Sequence, residues 1–134
     1  MQEHASEQIP GGSERILFVD DESALVELAD IMLTSLGYQV TSRTSSVEAL
    51  ELFRALPHDF DLVISDMTMP NMRGNDLARE MLKIRSDIPV IICTGFSEMI
   101  TEEKARALGI RRLVMKPIFK KNIARVIRDV LDKE

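Results

Sequence analysis

Cysteine is almost absent from this chain: Cys93 stands alone among 134 residues. No internal disulfide can form, which points to a reducing compartment. Cys93 lies within an apolar run and is expected to pack as a small hydrophobe rather than serve redox or metal chemistry. Long apolar runs are missing too; none approaches the ~18 residues of a membrane span. The N-terminus lacks the basic and apolar regions of a secretory signal. A cytoplasmic location without direct membrane contact is therefore the expectation. Positive charge is not in excess, with a formal net charge of -5 and a pI near 5.1. That balance argues against non-specific binding to nucleic acid or to anionic lipid. There is no internal repeat and no low-complexity tract.

What is present suits one domain with a real core: 45% of residues are hydrophobic and 29% charged. Residues 1–13 (MQEHASEQIPGGS) are polar and end in Pro10-Gly11-Gly12-Ser13, which reads as a flexible tail or linker. His4 in this tail has no partner motif and is expected to be solvated. From residue 14 to residue 134 the chain reads as one α/β domain in which strand and helix patterns alternate. Strands are expected at 15–20, 38–43, 61–65, 89–93 and 111–115. The helix at 23–36 carries Leu25, Leu28, Ala29, Met32, Leu33 and Leu36 on one stripe, and Gly37 sits where a C-terminal capping glycine belongs. Ser45 and Glu48 form a capping box for helix 45–56, whose stripe is Ala49, Leu52, Phe53 and Leu56. Asn75 is expected to cap a helix running to about Arg85. Thr101 is expected to cap a short helix ended by Gly109, and a last helix spans about 119–132.

The pattern is (βα)5. Near-continuous Val/Ile/Leu runs imply parallel strands buried on both faces, with helices on each side of the sheet. Right-handed crossovers favour a doubly wound sheet, and in such sheets ligands bind at the carboxyl ends of the strands. In the order 2-1-3-4-5 the switch point lies between strands one and three. The strand ends are chemically distinctive. Ile16-Leu17-Phe18-Val19 runs into Asp20-Asp21, and Leu62-Val63-Ile64 leads to Asp66. Val90-Ile91-Ile92 leads to Thr94, and Leu113-Val114-Met115 leads to Lys116.

Three carboxylates at one edge repel each other, and a divalent cation relieves the conflict. Mg²⁺ takes oxygen ligands, usually one or two carboxylates, and fills its other positions with water and phosphate oxygens. Asp21 and Asp66 are the candidate direct ligands. Asp20 would act through water, and the backbone carbonyl of Thr68 would complete the protein's share. A carboxylate is also a known nucleophile for phosphoryl transfer, so Asp66 is the candidate phosphoacceptor. Charge on the equatorial oxygens would be met by the cation, the Lys116 ammonium and the Thr94 hydroxyl. Pro117 restricts the backbone of Lys116 to extended conformations.

The pieces ILFVDDE (16–22), LVISDMTMPNMRG (62–74), VIICTG (90–95) and VMKP (114–117) resemble the response-regulator receiver domains of two-component signalling, over about residues 14–132. The resemblance implies a flavodoxin-like fold, with Asp66 as phosphoacceptor, Asp20 and Asp21 as metal-site acids, Thr94 as switch hydroxyl and Lys116 as phosphate-sensing lysine. It implies a histidine kinase or histidine phosphotransfer domain as partner, with phosphorylation changing the surface formed by the fourth helix, fifth strand and fifth helix. The family usually has Tyr or Phe three residues before the lysine; Leu113 stands there instead, without a ring to swing inward. Thr68 occupies a place that influences phosphate lifetime, so an altered dephosphorylation rate is expected. Small Gly95 should leave the phosphoryl site accessible.

DMTMPNMRGNDLAREMLKIR and IPVIICTGFSE further resemble receivers at the C-terminal end of hybrid sensor histidine kinases; a stand-alone single-domain regulator is the alternative. As an isolated domain the chain would not be an enzyme beyond labelling itself and slowly losing the label. A Mg²⁺-dependent phosphohydrolase is a weaker alternative, since those enzymes place an Asp-x-Asp nucleophile after strand one. The basic residues Lys104, Arg106, Arg111, Arg112, Lys116, Lys120, Lys121, Arg125, Arg128 and Lys133 read first as a solvated face. The sharper reading is a docking surface or a weak homodimer contact.

Overall fold

The computed structural model describes residues 8–95 and 100–132. Strands β1 (Arg15–Val19), β2 (Gln39–Arg43), β3 (Leu62–Asp66), β4 (Val90–Thr94) and β5 (Arg112–Met115) form one parallel sheet in the order β2-β1-β3-β4-β5. The helices among the described residues are α1 (Ser23–Ser35), α2 (Ser46–Ala55), α3 (Gly74–Ile84), α4 (Glu102–Ala107) and α5 (Lys120–Asp132). This is the doubly wound (βα)5 order read from the sequence.

Side-chain alternation divides the core in two. Leu17, Val19, Val63, Val90 and Ile92 face α2, α3 and α4, whereas Ile16, Phe18, Ile64, Ile91, Cys93 and Val114 face α1 and α5. Every residue of β3 and β4 is buried, which is why those strands open on continuous apolar runs, residues 62–64 and 90–93. Cys93 is 1% exposed and sits among the α1/α5-facing residues. Burial pushes its thiol up to about 12, so packing is its role here.

Local signals account for several helix ends. Ser45 accepts a hydrogen bond from Glu48 N at 3.2 Å, and Thr101 from Lys104 N at 3.1 Å. Gly37 follows α1 with φ 106°, the left-handed conformation in which a Cβ is unwelcome. Asn75 does not cap α3. The helix starts at Gly74, and Asn75 Oδ1 is buried without a hydrogen-bond partner. Two apolar stripes are also rotated from expectation. In α1, Val26 is buried and Leu28 is 54% exposed; in α2, Leu50 is buried and Leu56 is 45% exposed.

Residues 11–14 make specific contacts ahead of β1. Gly12 N donates to Leu36 O at 3.1 Å, and a side chain on Gly11 would overlap that same carbonyl. Arg128 of α5 donates to Gly11 O (3.3 Å), to both Glu14 carboxylate oxygens (2.9 Å each) and to Tyr38 Oη (3.2 Å). It also holds Asp132 at 2.7 Å, one helical turn on. Arg128 is therefore not part of a solvated basic face; its side chain is 19% exposed and fully engaged.

Candidate functional site

The parallel register delivers the chemically active residues to one edge. Val19 pairs with Ser65, Asp66 with Cys93, and Thr94 with Met115. One residue beyond these pairs stand Asp20 and Lys116. Asp20 N extends the ladder by bonding Arg43 O at 3.2 Å, and its Oδ1 accepts from Glu22 N at 3.0 Å. That Asx-type turn holds Asp20 inward, 2% exposed, and leaves Asp21 exposed. Lys116 N bonds Thr94 O at 2.8 Å, and the Lys116–Pro117 peptide is cis.

The side chains converge. Lys116 Nζ lies 2.8 Å from Asp66 Oδ1 and 3.7 Å from Asp20 Oδ2. Asp20, Asp21 and Asp66 each offer a carboxylate oxygen, all within 4.8 Å of one another. Burial is the main reason the Asp20 carboxyl is held above its usual range, with Asp66 adding to it and the Glu22 N–H working against it. Burial raises Asp66 as well, although Lys116 opposes it. Burial pulls Lys116 down, but the Asp66 and Asp20 carboxylates outweigh it and leave the ammonium raised.

Thr94 ends β4 and is buried, with its hydroxyl 3.4 Å from Gly95 O. Gly95 is half-buried. Thr68 is exposed between buried Met67 and Met69, on the loop leaving Asp66. Leu113 lies in β5 opposite Ile92 and packs on the α2/α3/α4 face as a half-buried aliphatic.

One ammonium against three carboxylates leaves excess negative charge at a largely buried edge. Hard oxygen donors, close spacing and the raised acids Asp20 and Asp66 fit a divalent cation, and those two with Asp21 are the residues that could hold it.

Two features escape sequence reading. A cavity of about 460 Å³ opens beside the site between α1 and α5, with Phe18, Leu28, Met32 and Ile123 among its walls and Asp20 and Lys116 at its polar end. Ser65, buried behind the phosphoacceptor candidate, donates to Asp66 O at 2.9 Å. Its only signal is a polar residue placed where the apolar run continues.

The family model for the response regulator receiver domain matches residues 16–128. The chain belongs to that family, which works as a phosphoacceptor switch rather than as a catalytic enzyme in itself and engages histidine kinases or phosphotransfer proteins. Sensor kinase CckA of Brucella abortus is 35% identical over 123 residues, 92% of this chain and 13% of that protein. Transcriptional regulatory protein GlrR of Escherichia coli is 34% identical over 118 residues, 88% of this chain and 26% of that one. These curated relatives are much longer than the chain. A receiver domain protein from Clostridium thermocellum superposes with a TM-score of 0.85 at 31% identity, covering 90% of this chain and 95% of the other.

Proposed function

We propose that Asp66 accepts a phosphoryl group from a phosphohistidine and thereby switches a signalling surface. The observation that carries this reading is the Lys116 ammonium 2.8 Å from the Asp66 carboxylate, inside a three-carboxylate cluster at the sheet's switch point. An Asp66 oxygen attacks phosphorus, the P–N bond breaks, and the electron pair leaves on the imidazole. Lys116 neutralises one phosphoryl oxygen, and Thr94 donates to another after a local rearrangement. Asp20, Asp21, Asp66 and the Thr68 carbonyl would hold Mg²⁺, which when bound supplies charge neutralisation at the transferring group. The receiver domain of sensor histidine kinase PA1611 from Pseudomonas aeruginosa, 22% identical, is described with magnesium in its active-site cleft; that supports the metal assignment by analogy of fold. Hydrolysis of the acyl phosphate resets the switch.

The donor is a histidine kinase or histidine phosphotransfer domain. The apolar cavity and the exposed Leu28 and Ile31 of α1 give such a partner a place to rest beside Asp20 and Lys116. Phosphorylation favours a changed surface on α4, β5 and α5, with Leu113 packing in place of a moving ring. Domain limits of 14–134, a weak homodimer and a cytoplasmic location complete the reading; no helix among the described residues is long and apolar enough to cross a membrane. The likeness to CckA favours origin in a hybrid kinase, and that to GlrR a regulator; the coding sequence on either side of this chain decides between them.

Intact-mass analysis with acetyl phosphate and Mg²⁺ tests the assignment. One phosphoryl group is expected on the parent and none on Asp66→Ala. Equal labelling of the variant overturns it.

A further inference from the structure

We propose that Ser65 and Gly74 are positioning residues for the phosphoacceptor, both bearing on the carbonyl of the Asp66–Met67 peptide; this rests on the phosphoacceptor reading of Asp66.

Ser65 is 1% exposed. It lies in register with apolar Val19 and Ile92, both part of the buried cluster on that sheet face. A hydroxyl in that place is costly unless it is hydrogen-bonded. It donates to the carbonyl oxygen of the next residue, Asp66, at 2.9 Å. Gly74, the first residue of α3, closes on the same peptide from the far end of the loop. Its N–H bonds Met67 O at 2.8 Å. A methyl group on Gly74 would overlap Asp66 O and lie 3.0 Å from Met67 Cα. Backbone at both ends of the 67–73 loop is thus in direct contact, and only glycine allows it.

The loop has further supports. Asn71 takes a left-handed turn with φ 72°, and Met72 N bonds Pro70 O at 2.8 Å. They shape the loop, whereas Ser65 and Gly74 touch the phosphoacceptor's own main chain. The direction of the Asp66 side chain follows from that main chain. In phosphoryl transfer an error of about 1 Å costs on the order of 10²-fold in rate. Ser65→Ala removes the hydrogen bond to the Asp66 carbonyl, and Gly74→Ala forces that carbonyl to move.

The test compares Ser65→Ala and Gly74→Ala with Gly109→Ala. Gly109 has φ 92° and its added methyl would press on Leu82, at the opposite edge of the sheet, so that variant is strained away from Asp66. Three quantities are read for each: thermal unfolding, the rate of labelling by acetyl phosphate at saturating Mg²⁺, and Mg²⁺ affinity from backbone NMR shifts. All three variants lose stability. The expected labelling rate falls roughly 3- to 10-fold in Ser65→Ala and roughly 10- to 100-fold in Gly74→Ala, and stays within about twofold of the parent in Gly109→Ala. Ser65→Thr, which keeps the hydroxyl, restores the rate and decides the matter should Gly74→Ala fail to fold. Labelling that falls no further in Ser65→Ala than in Gly109→Ala overturns the proposal. A parent that takes no label overturns the phosphoacceptor reading instead, and the Mg²⁺ titration then tests whether Ser65 and Gly74 still place the Asp66 carboxylate.

Discussion

Lys116 is already paired with Asp66: its Nζ is 2.8 Å from Asp66 Oδ1 and a full 0.9 Å farther, at 3.7 Å, from Asp20 Oδ2. On the proposed function, an incoming phosphoryl group would have to remodel this ion pair, with the lysine exchanging a carboxylate oxygen for a phosphate oxygen. Lys116→Met is expected to slow labelling by acetyl phosphate on the order of 10²-fold, the scale of one lost charge-stabilising donor. The same variant should bind Mg²⁺ more tightly, because a competing cation is gone. An unchanged labelling rate would separate the lysine from the transfer step.

Asp20 opposes folding when no divalent cation is present. Its carboxyl is held above the ordinary value of 3.8, chiefly by burial. A raised acid stabilises the fold only while protonated, so that contribution is lost as pH rises through the folded value. At pH 7 without metal, Asp20→Asn is expected to raise stability by about 1 kcal/mol, a few degrees in Tm. The gain should shrink below the ordinary carboxylate range and again in millimolar Mg²⁺. Thermal scans at two pH values, with and without the cation, measure both.

The Arg128 clasp has the opposite sign. The hydrogen bond from Arg128 is the main cause that holds Glu14 below its ordinary value of 4.5. A depressed acid stabilises the fold above the unfolded value, and the effect disappears as pH falls through the folded one. The protection factor of the Gly12 amide, its exchange relative to the intrinsic rate at each pH, is expected to fall as the pH drops below 4.5, and Glu14→Gln should flatten that dependence. Arg128→Ala should cost about 1 kcal/mol, given the partial exposure of the pair. Lys at position 128 should recover less than half, since it lacks the planar fork.

Asn75 tests where α3 begins. An N-cap asparagine replaced by alanine costs about 1 kcal/mol. Here the amide oxygen is buried without a partner inside the first turn, and alanine is the better helix former. Asn75→Ala is expected to be neutral or stabilising by up to about 1 kcal/mol. A clear loss in chemical denaturation would restore the capping role.

Strand order and strand ends were legible because they depend on short-range pattern: unbroken apolar runs for β3 and β4, and a charge or hydroxyl straight after each run. Caps were legible where side chain and backbone meet within three residues, as at Ser45 and Thr101. The start of α3 was hidden because it depends on a contact between Gly74 and Asp66, eight positions apart and invisible to periodicity. The stripe of α1 was misjudged at Leu28 because the helix lies over a cavity, so a residue at the right helical angle meets open space. Gly11 and Gly12 misled in the other direction. Composition reads paired glycines as freedom, yet here Gly11 lets main chain lie flush on main chain at Leu36, and Gly12 leaves room for the Arg128, Glu14 and Tyr38 side chains.

That last contact has a geometric consequence. The anchored stretch lies at the edge of the sheet where the strands begin, remote from the acids where they end. Through Arg128 it is tied to α5, so that a displacement of that helix would pull directly on the main chain at Gly11 and on the Glu14 carboxylate.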